Sequence, residues 1–432
     1  MKIELPNQAF KYVTENSQEC DEQTAFVLTN QNEKYLQNAK DHNAHSIIKI
    51  DEIAELFGID QIKIVGITGT NGKTTTASAI YSFLLDLGYK AAFQGTRGFF
   101  MNDEVVEGKS LTTPSVLNTY IHIYQAVAAG CEFFIMEVSS HAIVQKRIEG
   151  LKFELKILTN ITQDHLDYHK TIEEYIAVKN SFFQDETKKL INKDETKASF
   201  NVKNTYTYGI ENPATYKLMA YSLNNASSGI IQHMQDEVVP FTSSLHGFFN
   251  LYNLMAAISA THLLSGKKLE EIAEVVDNFA GVSGRMEQVS EEPNVIVDFA
   301  HTPDGMAQVL NALKEKDLLV VFGAGGDRDK SKRPLMGRVA SNLAKKIYIT
   351  SDNPRTEDPD EIIKDILTGI EDKSNVKVEV NRKKAIESAL NDQTGDEVVV
   401  VLGKGDEAYQ IIYDQKLPFD DREVIREILK RT

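Results

Sequence analysis

Short apolar runs alternate with helically spaced apolar positions along most of the chain. The run 64–67 predicts a buried strand, and after a glycine-rich turn the apolar residues at 80, 83, 84 and 87 have the spacing of a helix. Two further strands are predicted at 133–136 and 155–158, and amphipathic stretches around 117–128 and 172–183 alternate with them. This alternation predicts an α/β fold with a mostly parallel sheet that is covered on both faces.

The pattern changes after residue 205. Short apolar pieces separated by Gly, Asn and Ser predict antiparallel hairpins over 205–245 that extend the sheet. Glycines at 281 and 284 predict a hinge. The remaining predicted elements are helices at 250–264 and 269–279 and strands near 295–299, 318–322, 346–350, 376–380 and 398–402. We expect domains at 1–62, 63–283 and 284–432.

Composition narrows the functional classes. The 432 residues include 47 Lys and Arg against 63 Asp and Glu, a net charge of −16, which argues against a general nucleic-acid binder. Cys20 and Cys131 have no C-x-x-C spacing, so neither a disulfide framework nor a metal knuckle is indicated. The chain shows no signal segment and no long apolar run. We expect a cytoplasmic protein, monomeric, with no membrane or nucleic-acid partner.

A glycine-rich loop joins the first predicted strand to the first predicted helix. In 66–75, which reads GITGTNGKTT, backbone N–H groups can wrap an anion, Lys73 can reach the β- and γ-phosphates, and Thr74 can ligate Mg²⁺. The strict P-loop pattern needs Gly at position 67, which is Ile. The alternative is an ordinary glycine-rich turn with a chance Gly-Lys-Thr. We predict an ATP site, although motors, kinases and ligases all carry such a loop.

Polar residues follow the next strands at the sheet edge where α/β proteins bind ligands. Glu137 and His165 are placed to hold a second Mg²⁺ beside the γ-phosphate, the alternative for the histidine being a structural role. Lys179 and His169 are expected at the surface on pattern alone. Residues 112–114 and 145–147 offer hydroxyls and a guanidinium suited to an anionic substrate, or else helix caps and surface charge.

Four polar loops follow strands of the second alternation, at 298–304, 323–330, 352–355 and 403–407. Loops that follow parallel strands meet at one sheet edge, so these predict a binding face. Arg328 and Arg355 could grip carboxylates, and Glu407 could bind an ammonium group. That combination suits an amino acid.

Together these motifs resemble the Mur ligase family, the ATP-dependent amide-forming enzymes of peptidoglycan synthesis, from about residue 62 to the end. The segments that carry the likeness are 66–75, 137–141, 160–169, 175–179, 249–253, 284–287, 298–304, 323–334 and 352–355. The resemblance implies three domains: a small uridine-nucleotide domain, a central P-loop ATPase with a parallel sheet, and a C-terminal Rossmann-like domain for the incoming amino acid.

The resemblance also implies residue roles. ATP would be bound by Gly69, Thr70, Asn71, Gly72, Lys73, Thr74, Thr75, Asn253, Arg285 and Asp298. The metals would be held by Thr74, Glu137, His165 and a carbamylated Lys179, with Lys73, His165 and Lys179 catalytic. The muramoyl dipeptide would contact Thr112, Thr113, Ser139, Gln145 and Arg147. Diaminopimelate would contact Arg328, Asp352, Asn353, Pro354, Arg355, Gly403 and Glu407.

The implied reaction adds meso-diaminopimelate to UDP-MurNAc-L-Ala-D-Glu through an acyl phosphate, with ATP and Mg²⁺. The chain departs from the family at Asp406, where histidine is usual, and in its short first segment, where only 26–39 loosely matches and the Asp-Ser-Arg run is missing. The alternatives are an L-lysine-adding ligase of the family, a folylpolyglutamate synthetase-like ligase and a non-catalytic nucleotide-binding regulator.

Overall fold

The computed structural model describes residues 2–5, 9–223, 227–234 and 237–431. The first 56 residues contribute a four-stranded sheet in the order β1-β2-β3-β4, in which only the β1–β2 pair is antiparallel. Its elements are β1 (Ile3–Glu4), β2 (Tyr12–Thr14), β3 (Thr24–Leu28), α1 (Leu36–Asp41), β4 (Ser46–Lys49) and α2 (Ile50–Leu56).

The central sheet has eleven strands in the order β15-β14-β13-β12-β11-β10-β5-β9-β6-β7-β8. Its strands are β5 (Lys63–Thr68), β6 (Ala91–Gly95), β7 (Gly98–Met101), β8 (Glu104–Glu107), β9 (Phe133–Glu137), β10 (Phe153–Leu158), β11 (Lys189–Asn192), β12 (Thr205–Gly209), β13 (Tyr216–Ser222), β14 (Ser227–His233) and β15 (Glu237–Ser243). Its helices are α3 (Lys73–Asp86), α4 (Val116–Ala128), α5 (Ser140–Val144), α6 (Leu166–His169), α7 (Ile172–Ser181), α8 (Phe248–Ser265) and α9 (Leu269–Val275).

A third sheet of six strands has the order β16-β17-β21-β18-β19-β20, and only its edge strand β16 is antiparallel. Its strands are β16 (Glu287–Ser290), β17 (Val295–Asp298), β18 (Leu318–Phe322), β19 (Lys346–Ile349), β20 (Val376–Val378) and β21 (Val398–Leu402), followed by the hairpin β22 (Tyr409–Ile412) and β23 (Gln415–Pro418). Its helices are α10 (Pro303–Ala312), α11 (Lys332–Leu343), α12 (Pro359–Leu367), α13 (Arg382–Asp392) and α14 (Asp421–Leu429).

The predicted α/β class is confirmed. Two details of the predicted elements after residue 205 differ. The segment over 205–245 contains the predicted antiparallel pairs β13–β14 and β14–β15, but β12 runs parallel to both of its neighbours. The helix predicted over 269–279 ends at Val275 and continues as a 3₁₀ turn, Val276–Asn278.

In the middle of the central sheet, around β5 and β9, both faces are buried, which explains the continuous apolar runs of these strands. In β5, Val65 and Ile67 pack with Phe83 of α3 on one face, whereas Ile64 packs with Leu117 of α4 on the other. Burying each such side chain contributes about 1.5–3 kcal/mol. The two packed layers fix β5, and therefore the glycine loop that follows it, relative to the neighbouring strands.

The first sheet docks on the central one through a helix start. The Glu15 carboxylate accepts hydrogen bonds from the Ser115 hydroxyl (2.8 Å) and from the backbone N–H of Leu117 (3.0 Å) at the first turn of α4. A carboxylate there is favoured by the unpaired N–H groups and the helix dipole. Among the described residues, no helix combines the length and apolar character needed to cross a membrane.

Candidate active site

The glycine loop forms a turn that only glycine tolerates at two positions. Gly69 (φ +154°) and Gly72 (φ +84°) approach neighbours so closely that a Cβ would lie 1.8 Å from Thr159 Oγ1 and 2.3 Å from Asn253 Oδ1, respectively. α3 begins immediately afterwards, at Lys73, with its free N–H groups toward the loop. The Lys73 ammonium donates to the carbonyls of Gly69 and Thr70, both at 2.8 Å. The loop therefore has the backbone and charge of an anion cradle.

A carboxylate and a hydroxyl meet beside this loop. Thr74 Oγ1 donates to Glu137 Oε2 at 3.0 Å, and the Thr96 backbone N–H donates to Glu137 Oε1 at 2.9 Å. Glu137 is fully buried at the end of β9, and burial raises the pKa of its carboxyl, while the nearby Lys73 opposes that shift. Hydroxyl and carboxylate oxygens are the donors that Mg²⁺ prefers, so this pair fits that ion.

Lys179 is buried, so the expectation from sequence pattern that it is a surface lysine is wrong. Its side chain runs from α7 beneath the loop, where Nζ donates to the Gly69 carbonyl at 2.9 Å and lies 4.7 Å from the centre of the Tyr175 ring. Burial, and secondarily the charge on Lys73, lowers its pKa well below the usual range. Burial therefore favours the neutral amine at this position more than it would at the surface.

His165 belongs to a cluster that includes Asp164, which sequence reasoning missed. His165 Nε2 lies 3.3 Å from Asp164 Oδ2, and Lys332 Nζ and His301 Nε2 approach the same carboxylate at 3.9 and 4.0 Å. Burial would raise the pKa of Asp164, but His165, Lys332 and His301 hold it well below its usual range. Burial lowers the pKa of His165 to about 3, which keeps the imidazole neutral and free to bind a cation.

His169 was also expected at the surface and is instead buried, with Nε2 2.9 Å from Ser140 Oγ. Its neighbour is the helix start at α5, where Ser139 caps the helix by accepting from the Ala142 N–H at 3.1 Å. Helix α6 is a single turn, so its apolar contacts are set by the fold and leave no periodic signal in the sequence.

Three more residues expected at the nucleotide face the loop from other elements. Asn253 of α8 lies against Gly72, and Asp298 ends β17, where its carboxylate accepts from the N–H groups of Met286 (2.7 Å) and Ala300 (2.6 Å). The Arg285 guanidinium stacks 4.2 Å from the centre of the Phe299 ring. Burial raises the pKa of Asp298, and Arg285 opposes the shift.

One cavity of about 640 Å³ is lined by residues from both the central sheet and the third sheet, together with their helices and loops. The predicted residues that line it are Thr70, Asn71, Gly72, Lys73, Thr74, Thr75, Thr112, Glu137, His165, Asn253, Arg285, Asp298, Arg328, Asp352, Asn353, Arg355, Gly403 and Glu407. The two sides touch where Asn71 Nδ2 donates to Asp304 Oδ2 at 2.8 Å. Pro354, whose carbonyl packs on the backbone of Gly326, does not line the cavity. Gly69 of the loop itself and Lys179 beneath it do not line the cavity either.

The guanidinium groups of Arg328 and Arg355 lie at the end of this cavity away from the glycine loop. The Arg355 guanidinium donates to the Gly326 carbonyl at 2.8 Å, and burial, then the neighbouring Arg328, lowers its pKa. Glu407 is already partnered, since its carboxylate lies 3.1 Å from Lys404 Nζ and 3.0 Å from Asn353 Nδ2. Two adjacent guanidinium groups favour an anion between them, so this end of the cavity suits a carboxylate.

The remaining predicted residues connect the main cavity to a second one. Thr113 Oγ1 accepts from the Ser139 N–H (3.0 Å), and the Arg147 guanidinium donates to the Thr113 carbonyl (2.8 Å) and to Gln145 Oε1 (2.6 Å). Gln145 and Arg147 line a cavity of about 240 Å³, which also contains Glu15, Asn30, Gln31 and Asn32 of the first segment. Asn30, Gln31 and Asn32 belong to the segment 26–39, which matches the family only loosely, and the sequence did not single them out because only the fold brings them beside Arg147.

The glycine loop faces a second α/β sheet across one shared cavity. This arrangement is that of a multidomain nucleotide-binding protein. Two family models match the chain: "Mur ligase middle domain" over residues 67–261 and "Mur ligase, glutamate ligase domain" over 284–405. The chain belongs to the Mur ligase family.

Two curated relatives of similar length have the same name. The UDP-N-acetylmuramoyl-L-alanyl-D-glutamate--2,6-diaminopimelate ligase of Wolinella succinogenes is 53% identical over 98% of both chains, and that of Helicobacter pylori is 50% identical over 97% of this chain and 96% of its own. A solved structure of a ligase with this name is 29% identical, with a TM-score of 0.68, over 100% of this chain and 99% of its own. A Mycobacterium tuberculosis folylpolyglutamate synthase, 16% identical over 82% and 91%, shares the fold with a TM-score of 0.68.

Proposed function

We propose that this chain is an ATP-dependent amide ligase that joins meso-diaminopimelate to UDP-MurNAc-L-Ala-D-Glu in peptidoglycan synthesis. The observation that carries the proposal is the single cavity lined by the phosphate loop at one end and by Arg328 and Arg355 at the other. The names and lengths of the relatives support the same activity. The domains would divide near residues 62 and 283, and the reaction would take place in the cytoplasm, on a single copy of the chain.

The nucleotide would lie with its phosphates on the loop at 69–75 and its remainder toward Asn253, Arg285 and Asp298. Lys73 and the N-terminus of α3 offer positive charge to the phosphates. Thr74 and Glu137 would hold one Mg²⁺, and His165 would hold a second. These ions, when bound, offset the negative charge of two anions that must meet.

Lys179 would be carbamylated. Its neutral amine would attack the carbon of CO₂ and release a proton, which leaves an N-carboxylate in place of an ammonium group. The buried position with lowered pKa supports this step, because a protonated amine has no lone pair to form the bond. The product would supply oxygen donors beneath the loop. We expect removal of CO₂ and bicarbonate to lower ligase activity, and restored bicarbonate to recover it.

The chemistry follows from the weak electrophilicity of a carboxylate. The glutamate carboxylate of the substrate would attack the γ-phosphorus of ATP, forming an acyl phosphate and releasing ADP. The amine of diaminopimelate would then attack the acyl carbon, which forms the amide and expels phosphate. The walls of the cavity would hold the amine against the acyl carbon and limit hydrolysis by water.

The muramoyl substrate would span the two cavities. Its uridine end would occupy the smaller cavity with Asn30, Gln31 and Asn32, and its dipeptide would pass Arg147, Ser139 and the two threonines at 112 and 113 toward the nucleotide. Asn30→Ala is expected to raise the KM for the muramoyl substrate and leave the KM for diaminopimelate unchanged. An unchanged KM for the muramoyl substrate would place the uridine elsewhere.

Arg355 would bind the distal carboxylate that distinguishes diaminopimelate from lysine. A site built around such a charged pair can reject a substrate lacking the charge by roughly 10⁴-fold. Arg355→Ala is therefore expected to cut kcat/KM for diaminopimelate far more than it affects ATP binding, whereas the exposed Arg338→Ala serves as a charge-matched control. Wild-type kinetics with diaminopimelate in the Arg355 variant would refute the assignment.

The function as a whole is tested by phosphate release with UDP-MurNAc-L-Ala-D-Glu and ATP. Diaminopimelate, L-lysine and no acceptor are compared in parallel. We expect one phosphate per tripeptide formed with diaminopimelate and little turnover otherwise. Turnover with lysine alone would assign the chain to lysine addition, and ATP binding without turnover would make it a non-catalytic regulator.

A further inference from the structure

A second cluster of metal-type side chains lies at the far edge of the central sheet. Tyr216, His233 and Glu237 occupy neighbouring strands β13, β14 and β15 and are successive cross-strand partners. Cross-strand partners point to the same face of a sheet. His262 of α8 packs on that face, with its ring centre 4.8 Å from that of His233.

One carboxylate oxygen faces both histidines. Glu237 Oε1 accepts from the backbone N–H of Leu269 at 2.9 Å, where α9 begins. Glu237 Oε2 lies 3.6 Å from His233 Nδ1 and 3.8 Å from His262 Nε2. One ligand atom from each of the three residues lies within 4.8 Å of the others. Ligands on a tetrahedral Zn²⁺ with bonds of about 2.0–2.1 Å are roughly 3.3 Å apart, so small side-chain rotations would close the set.

The surroundings resemble those of known metal-binding histidines. The Tyr216 hydroxyl lies 2.7 Å from His262 Nδ1, and its ring stacks on His233 with centres 4.6 Å apart. A metal ligand nitrogen needs its lone pair, and a hydrogen bond from the other ring nitrogen fixes that tautomer.

We propose that His233, Glu237 and His262 form a binding site for a divalent transition metal, with Zn²⁺ as the preferred ion. His262 would bind through Nε2 and donate Nδ1–H to the Tyr216 oxygen. Two imidazoles and one carboxylate suit Zn²⁺, whereas Mg²⁺ prefers oxygen ligands. None of the three residues lines the proposed nucleotide cavity. The ion would fasten the β14–β15 hairpin to α8 and to the start of α9.

The test uses the full chain, stripped with a chelator and kept in excess Mg²⁺ so that oxygen-rich positions in the main cavity are filled. Isothermal titration with Zn²⁺ should give one equivalent of tight binding, and Co²⁺ should give the intense visible bands of a tetrahedral site. Zn²⁺ should raise the melting temperature. Ligand variants His233→Ala and Glu237→Gln should lose the equivalent, and Tyr216→Phe should weaken binding about 10- to 100-fold.

The control is His42→Ala, an exposed histidine whose Nδ1 lies 2.8 Å from the Asn38 carbonyl. It should bind Zn²⁺ like the wild type. Circular dichroism of each variant shows whether lost binding follows from unfolding, and His262→Gln provides a second ligand variant of similar size. The proposal is overturned if the wild type binds no equivalent, or if folded His233 and Glu237 variants keep it. Both results are independent of ligase activity.

Discussion

Replacing Gly72 by alanine should damage the phosphate loop for two separable reasons. The backbone there has φ +84°, a conformation that costs an alanine about 1–2 kcal/mol. The added Cβ would also lie 2.3 Å from Asn253 Oδ1, so the Asn253 side chain must move. That movement disrupts its contacts with Thr76 (3.4 Å) and Asn250 (2.9 Å), each worth about 0.5–1.5 kcal/mol.

Gly88 offers a matched control. It has φ +86°, and a Cβ there would meet no heavy atom within 4 Å. Gly88→Ala should therefore show the backbone cost alone, whereas Gly72→Ala should add the cost of displacing Asn253, about 2–5 kcal/mol in all. The double variant Gly72→Ala/Asn253→Gly removes the steric conflict and should recover part of the difference in stability.

Nucleotide affinity separates the loop from general stability. Titration with a non-hydrolysable ATP analogue should show at least about tenfold weaker binding for Gly72→Ala, equivalent to about 1.4 kcal/mol, and wild-type binding for Gly88→Ala. Thermal unfolding of both variants checks that they are folded at the assay temperature. Equal affinity in the two variants would mean that the geometry at Asn253 does not govern nucleotide binding.

Three further predictions concern charged contacts. Arg333 lowers the pKa of Glu357 to about 2. The ionised carboxylate therefore stabilises the fold above its unfolded pKa near 4.5, and this contribution is lost as the pH falls toward 2. The difference in melting temperature between wild type and Glu357→Gln should close over that pH range. Asp421→Asn leaves the buried Arg382 guanidinium without its bidentate partner and should cost roughly 3–5 kcal/mol in urea unfolding, more than exposed Glu423→Gln. Lys109→Ala breaks a partly exposed ion pair with Asp406 (2.9 Å), the neighbour of Glu407, and should raise the KM for the amino acid by no more than about fivefold, with little change in kcat.

The strands and helices of the two larger sheets were predictable because their signal is local. A run such as 398–402, five apolar residues in a row, fits only a strand buried on both faces, and β21 occupies the middle of its sheet. The hairpins β6–β7 and β7–β8 were missed, and β8, which is exposed throughout, has no apolar run that could predict a strand. The long-range parallel pairing of β6 with β9 places β6 in the sheet, and β7 and β8 follow it by hairpin pairing.

The site residues also divide into those that a local motif reveals and those that only the fold brings together. Gly72, Lys73 and Thr74 are adjacent in the sequence, so their spacing carries the chemistry. Asp164, in contrast, acquires its significance from Lys332, which is contributed by a helix of the other sheet. His233 and His262 are likewise joined only by strand pairing and by the packing of α8. Spacing along the chain cannot report such contacts.

Lys179 shows how burial changes the chemistry available to a residue without any change in its sequence context. Exposed on a helix, it would be a protonated lysine that neither binds a cation nor reacts with CO₂. Beneath the loop, its ammonium form loses hydration and faces the positive charge of Lys73. Reaction with CO₂ would convert that repulsion into attraction, because an anion would then face Lys73 and the metal positions. In the proposed mechanism, carbamylation would therefore relieve the unfavourable burial of the amine and supply an additional metal ligand at the same position.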